Sequence, residues 1–305
     1  MLTLEGIRHA RKRIEPYIVE TPLKPPLFTE QDRATRLFKC EHIQMTGAFK
    51  VRGALNKVLK LKAEIRHVVA ASTGNHGVAV SYAAQRTQRQ ATIFMPRNTD
   101  RQRVERIERL GSMVRLVGDD CVTAEQTARK FASDEELVYL SPYNDLDIIE
   151  GQGTLGLELF EQAPDLSHVV ISVGGGGLIA GAATALKCLN PSIAVIGASP
   201  LHSNVMSKSV QTGRLHSWSG LDTLSKSTAG GLEEPSVTLP LCRRLVDQWV
   251  DVTEEEIQLA MDRLLGDELM YVEGAAALAD AAASRLLATL SPSARVAIVL
   301  CGANR

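Results

Sequence analysis

Aromatic side chains are scarce in this sequence: two Trp, five Tyr and six Phe among 305 residues. A core must therefore be built from Ala, Val, Leu and Ile. Excess charge is missing as well, since 34 Lys and Arg against 35 Asp and Glu leave a formal net charge of -1. That balance gives no general pull toward nucleic acid or anionic lipid. No apolar run reaches the ~18 residues of a membrane helix, so no membrane partner is expected. The five cysteines, Cys40, Cys121, Cys188, Cys242 and Cys301, are scattered, odd in number and free of any C-x-x-C pair. They argue against a disulfide framework and a structural zinc site, and for a reducing cytoplasm. The seven histidines contain no H-x-x-x-H spacing, which excludes the helical zinc-hydrolase motif. The basic N-terminus has no apolar stretch behind it, so it is no secretory signal. Leu4, Ile7 and Ile14, with Arg8, Arg11 and Lys12 between them, predict an amphipathic helix there.

What is present is a globular composition, 45% hydrophobic and 23% charged, too apolar for disorder. The length predicts two domains or one large α/β unit. Short apolar runs predict strands at 67-72, 90-96, 113-118, 137-142, 168-174, 193-199 and 294-302. Between them, helical patterns fall at 51-63, 77-86, 101-111, 123-133 and 178-190, with another at 252-267. Apolar strands separated by helices imply βαβ units and a parallel sheet. The stretch 200-235 is rich in Ser, Gly, Thr and Pro, and reads as a long loop.

Four segments carry chemistry. In Thr46-Gly47-Ala48-Phe49-Lys50-Val51-Arg52-Gly53-Ala54, a lysine follows a glycine-containing loop and opens a helix. The positive end of the helix dipole disfavours its protonated form, and an imine-forming lysine must be able to lose that proton. In Ser72-Thr73-Gly74-Asn75-His76-Gly77, a strand-to-helix turn offers backbone N-H groups, two hydroxyls and an amide, suited to a carboxylate or phosphate. In Ser172-Val173-Gly174-Gly175-Gly176-Gly177-Leu178, four glycines let several N-H groups surround one phosphate. The next strand ends Gly197-Ala198-Ser199 without an acid for a ribose, which disfavours a dinucleotide. Leu300-Cys301-Gly302-Ala303-Asn304 closes the last strand, at the carboxyl end where parallel sheets bind ligands. Each has a plainer reading alone: a surface lysine, a capped turn, a glycine loop, a buried cysteine. Together, an imine-capable lysine, a phosphate cradle and a carboxylate turn describe pyridoxal 5'-phosphate and an amino-acid substrate.

From about residue 5 to 305 the chain resembles the fold-type II pyridoxal-phosphate enzymes of the threonine/serine dehydratase and serine racemase group, with these motifs in the family's order. The resemblance implies an α/β architecture of tryptophan synthase β-like type with parallel sheets. It implies a large cofactor-binding domain, 1-44 plus 144-305, and a small mobile domain, 45-143. It assigns Lys50 as the lysine that holds the cofactor and takes the α-proton, with Phe49 flanking the ring. Asn75 would bond the ring hydroxyl and also border the substrate. Gly174, Gly175, Gly176, Gly177 and Leu178 would hold the phosphate. Ser72, Thr73, Gly74 and His76 would surround the substrate carboxylate. Asn144 matches a family asparagine near cofactor and substrate, Glu273 a glutamate near the ring, and Cys301 the position facing the pyridine nitrogen. A neutral group there makes the ring a weaker electron sink and favours loss of a β-substituent.

The implied activity is elimination of water from a β-hydroxy amino acid such as L-threonine or L-serine, giving a 2-oxo acid and ammonia. A cytoplasmic homodimer is implied too, and a catalytic core without an appended regulatory domain. Relatives that bind a divalent cation carry Glu where this chain has Ser199 and Asp where it has Val205, so no such metal site is expected. Thr73 stands where racemases of the group place a serine hydroxyl as second acid/base, so racemisation stays open. Ser-Thr-Gly-Asn-His-Gly, Glu41-His42 and Cys301 are closest to hydroxyectoine-utilisation dehydratases. A β-replacement synthase of the same fold and a non-enzymatic sensor are the remaining alternatives.

Overall fold

The computed structural model describes residues 1-28 and 33-303, so Asn304 of the last motif and Arg305 lie outside the described residues. The first elements are α1 (Leu4–Ile14), β1 (Leu23–Lys24), β2 (Thr35–Lys39) and α2 (Lys50–Lys60). Strand and helix then alternate: β3 (His67–Ala71), α3 (Asn75–Arg86), β4 (Gln90–Met95), α4 (Arg101–Arg109), β5 (Met113–Leu116), α5 (Cys121–Asp134) and β6 (Val138–Tyr139). After α6 (Leu146–Gln162) come β7 (His168–Ser172), α7 (Gly177–Leu189), β8 (Ala194–Pro200), α8 (Val205–Thr212), α9 (Thr238–Leu245) and β9 (Gln248–Val252). The chain continues through α10 (Glu254–Gly266), α11 (Gly274–Leu287) and β10 (Arg295–Val299).

The strands form two sheets. One has the order β5-β4-β3-β6 and is parallel throughout. The other has the order β1-β2-β10-β7-β8-β9, parallel except for the short β1 edge. Both are therefore α/β units, covered by helices on apolar strands. The small sheet draws on residues 67-139, and the large one on 23-39 and 168-299. Helices α2 and α6 pack against each other between them. Each sheet has its own core of aliphatic and alanine side chains, as the shortage of aromatics requires.

Three differences from the sequence expectation have physical causes. The run 137-142 pairs as a strand only at Val138–Tyr139, and Pro142 has no N-H to extend a ladder. The stretch 200-235 is not all loop: it contains α8, stopped by Gly213 at φ +72°. The long helix α6 had no reading from sequence, because Gly151, Gly153 and Gly156 weaken the helical signal. Close packing explains these glycines. A methyl at Gly151 would stand 2.5 Å from the Arg52 carbonyl oxygen, and one at Gly156 would stand 2.6 Å from that of Ala182. Backbones thus meet backbones around α6, at a distance that any side chain would prevent.

Candidate active site

The start of α2 is fixed by an ion network that excludes water. Arg52, fully buried, donates Nε and one Nη to Glu41 at 2.8 and 2.7 Å, and its Nη groups to Glu158 at 2.6 and 2.8 Å. Lys39, also fully buried, donates to Glu158 at 2.6 Å and to the Thr21 carbonyl at 2.7 Å. Bidentate geometry and full pairing make such buried charges tolerable. The loop before α2 is pinned from the other side. Phe49 N-H donates to the Cys301 carbonyl at 3.1 Å, Ala303 N-H to that of Gly47 at 2.8 Å, and Ala48 bridges Gly302. The first and fourth motifs, far apart in sequence, are thus hydrogen-bonded neighbours.

Lys50 projects from this rigid corner into a cavity of about 250 Å³. Its amine donates to the Pro142 carbonyl at 2.7 Å and lies 5.1 Å from the Phe49 ring centre. Burial pulls its pKa down to about 8, against smaller opposing pulls from Cys301 and Glu273. Cys301 lies on the cavity wall, and burial, helped by Glu273, pushes its thiol well above the ordinary range. It is a neutral group at physiological pH. Glu273 accepts from the Asn75 amide at 2.9 and 3.2 Å and from the Ser227 hydroxyl at 3.0 Å.

The turn Ser72-His76 forms one wall. The Ser72 hydroxyl accepts from Gly74 N-H at 3.1 Å, shaping the turn. The opening amides of α3 have no intrahelical acceptor, which leaves them free to bind an anion. His76 also borders the cavity, but its Nε2 is 2.9 Å from the Leu140 carbonyl, and burial lowers its pKa to about 3. It is therefore uncharged, and any attraction for a carboxylate comes from the turn's amides and hydroxyls.

Opposite lie Gly174, Gly175, Gly176, Gly177 and Leu178. Gly176 has φ +84°, a left-handed conformation that L side chains avoid. A methyl at Gly175 would stand 2.3 Å from the Tyr143 ring, and one at Gly174 would stand 2.8 Å from Thr228 Cα. No side chain fits this strand-to-helix loop, so its amides stay open to a phosphate.

Of the residues singled out from sequence, Lys50, Phe49, Ser72, Thr73, Gly74, Asn75, His76, the four glycines, Leu178, Glu273 and Cys301 all line this one cavity. Asn144 does not. Its side chain donates to the Pro235 carbonyl at 2.9 Å and to Glu233 at 3.3 Å, and accepts from Val237 N-H at 2.7 Å. The structure places it as a brace of the 233-237 loop, which holds its neighbour Tyr143 through a bond from Glu233 N-H to the phenol oxygen at 2.6 Å. Sequence reasoning missed Tyr143, Arg103, Cys121 and the turn 226-228, which also reach the cavity. Only the length of the 200-235 segment hinted at the last of these. Among the described residues, no cluster of three or more His, Cys, Asp or Glu could hold a metal, and no helix is long and apolar enough to cross a membrane.

A family model described as "Pyridoxal-phosphate dependent enzyme" matches residues 14–302. The chain belongs to this family. Its fold is that of the fold-type II members, and its cofactor is pyridoxal 5'-phosphate. The cavity fits that group: a half-buried lysine of lowered pKa, a glycine loop too tight for any Cβ, and a hydroxyl-bearing strand-to-helix turn share one space. The chain is 38% identical to an L-threonine ammonia-lyase of Thermotoga maritima, over 100% of this chain and 76% of that protein. It is 36% identical to a serine racemase of Arabidopsis thaliana, over 98% and 92% respectively. Among solved structures, the processed form of threonine deaminase isoform 2 from Solanum lycopersicum superposes with a TM-score of 0.94 at 30% identity, covering 99% of this chain and 84% of that one.

Proposed function

We propose that the protein is a dehydratase, an ammonia-lyase, acting on a small β-hydroxy amino acid such as L-threonine or L-serine. The observation that carries this reading is geometric: the Lys50 amine, held by the Pro142 carbonyl at 2.7 Å, and the buried Cys301 thiol line one cavity with the glycine loop and the Ser72-His76 turn. Relatives named threonine ammonia-lyase cover the whole chain and support it. Bound pyridoxal phosphate supplies an electron sink that acidifies the substrate's α-hydrogen and lets a β-substituent leave. The protein's own part is as follows. Gly174-Gly177 and Leu178 hold the phosphate with backbone amides. Asn75, kept in place by Glu273, would bond the ring hydroxyl, and Phe49 would flank the ring. The substrate carboxylate sits at Ser72, Thr73, Gly74 and the first amides of α3. Lys50, in its free-amine form, which the lowered pKa makes accessible near neutral pH, would accept the α-proton. Cys301, a neutral thiol, would leave the ring nitrogen without an acidic partner. The β-hydroxyl leaves as water, and net hydrolysis gives a 2-oxo acid and ammonia. The small unit, 45-143, closes over the bound substrate and excludes water. A cytoplasmic homodimer belongs to the same reading.

A second reading rests on Thr73, which lines the cavity from the turn before α3 while Lys50 enters from α2. Two acid/base groups on different elements are what racemisation needs, and serine racemases are among the relatives. One experiment separates them: holoenzyme with L-serine in heavy water, followed by coupled ammonia assay and chiral chromatography. Ammonia with a 2-oxo acid supports the lyase. Deuterated D-serine without ammonia supports the racemase, and neither product refutes both.

A further inference from the structure

The charged groups on the cavity wall are unequal in number and in occupation. Among the described residues, three cations, Lys50, Arg103 and Lys226, face it, with Glu273 as the one carboxylate. Glu273 is already engaged by Asn75 and Ser227, and Lys50 by the Pro142 carbonyl. Arg103 is different. It projects from α4 beside the carboxylate turn, and its bond there is a long one, 3.4 Å, to the Thr73 carbonyl. Among the described residues no carboxylate lies within ion-pair distance of it. The nearby Asp120 spends its side chain on Thr123, capping α5 at 2.8 and 3.0 Å. Lys226 reaches the cavity from the turn 226-228 of the other unit, and its ion pair, to Asp222 at 3.4 Å, is fully exposed on the Asp side. Exposed pairs of that kind are weak and easily exchanged.

A guanidinium next to the subsite for one carboxylate, with an under-used ammonium on the same cavity, matches a substrate carrying a second anion. We infer that the enzyme acts on an amino acid with an anionic group on or beside Cβ, held by Arg103 with Lys226 as its second cation. This rests on the lyase reading above and narrows its substrate class. For a β-hydroxy dicarboxylate such as 3-hydroxyaspartate, Lys50 takes the α-proton and the Cβ–O bond breaks to release water. Hydrolysis then adds one water and releases ammonia with a 2-oxo dicarboxylate. For an O-phosphorylated serine, the same α-proton loss breaks the Cβ–O bond to inorganic phosphate. Both present the same chemistry to Arg103, an anionic side chain within reach of a planar fork of donors.

The test uses purified holoenzyme with 3-hydroxyaspartate (threo and erythro), O-phosphoserine, L-serine and L-threonine, measuring ammonia and, for the phosphoester, inorganic phosphate. We expect a substrate with the second anion to have the highest kcat/KM, and ammonia without or with phosphate tells the two kinds apart. In Arg103→Gln the ratio of its kcat/KM to that of serine falls about 10- to 150-fold, the loss of one bond between charged groups. Arg103→Lys keeps most of that ratio. A readout independent of turnover is titration of the cofactor's visible band with L-aspartate and L-alanine. The wild type responds at lower aspartate concentration, and Arg103→Gln loses that preference. If serine or threonine reacts and both doubly anionic substrates do not, the inference is overturned and the lyase reading stands. An unchanged ratio in Arg103→Gln also overturns it. Reaction of none of the four refutes both. Lys226→Gln that sheds the cofactor while keeping the preference removes Lys226 from the anion site.

Discussion

A half-buried amine whose protonated form is poorly solvated is an instability built into the apoprotein, and its size follows from the lowered pKa of Lys50. A shift from 10.5 to about 8 corresponds, at ~1.4 kcal/mol per pH unit, to about 3 kcal/mol. The sign is fixed by linkage. Between pH 8 and 10.5 the unfolded chain binds a proton that the folded chain does not, so stability rises with pH across that window. Below pH 8 both states are protonated and the folded state bears the full cost. Lys50→Met keeps most of the unbranched side chain and removes the charge. The cofactor-stripped variant is therefore expected to be more stable than the stripped wild type by about 3 kcal/mol near neutral pH. The gain shrinks through pH 8 to 10.5 and vanishes above it. The assay is urea denaturation of both apoproteins at a series of pH values, followed by far-UV circular dichroism. A variant no more stable than wild type at neutral pH, or a difference that does not change with pH, refutes the reasoning. The same variant must lose all ammonia release and the visible band of the bound cofactor.

Three other perturbations test separate parts of the site. Arg52→Met leaves Glu41 and Glu158 buried with only Lys39 to answer them, and is expected to cost about 3–5 kcal/mol in thermal or urea unfolding. Gly175→Ala drives a methyl into the Tyr143 ring; overpacking costs about 1–3 kcal/mol, so cofactor affinity measured by absorbance titration falls ~10-fold or more, and a second change, Tyr143→Ala, recovers part of it. Cys301→Asp puts a carboxylate beside Glu273 where a neutral thiol stands; elimination is expected to slow and transamination products to appear in chromatography of the reaction mixture, and unchanged elimination with no such product speaks against the role given to Cys301.

The parts of the site legible in the sequence are those whose chemistry is local. Four consecutive glycines, a lysine opening a helix and a hydroxyl-rich strand-to-helix turn each announce a backbone geometry within a few residues. Their convergence is not local: only the resemblance joins them in the sequence, and the structure brings them to one cavity, the first and fourth through the bonds of the Lys50 loop to Cys301, Gly302 and Ala303. Tyr143, Arg103 and Lys226 carry no local signal, because each reaches the cavity through the packing of elements distant in sequence. Arg52 does have one. A guanidinium between Val51 and Ala54, on the face that buries Leu55 and Val58, has to find carboxylates, and the sequence does not say which. His76 lines the cavity as expected of its motif, but its contact with the Leu140 carbonyl and its uncharged state follow from burial and carry no local signal.

The position of β10 bears on how the protein is made. This strand comes after all the others in chain order, yet it lies in the interior of its sheet, between β2 and β7. Until it is synthesised, β2 and β7 cannot be joined, and each presents an open edge to solvent and to other nascent chains. Pairing Thr35 with Arg295 is a contact across most of the sequence, the kind that slows folding. Because Cys301 and Gly302 also anchor the Lys50 loop, the cofactor has no complete place to bind before that insertion. Assembly of the sheet and competence to bind the cofactor are thus one late event, and a supply of cofactor during synthesis can stabilise only chains that have finished it.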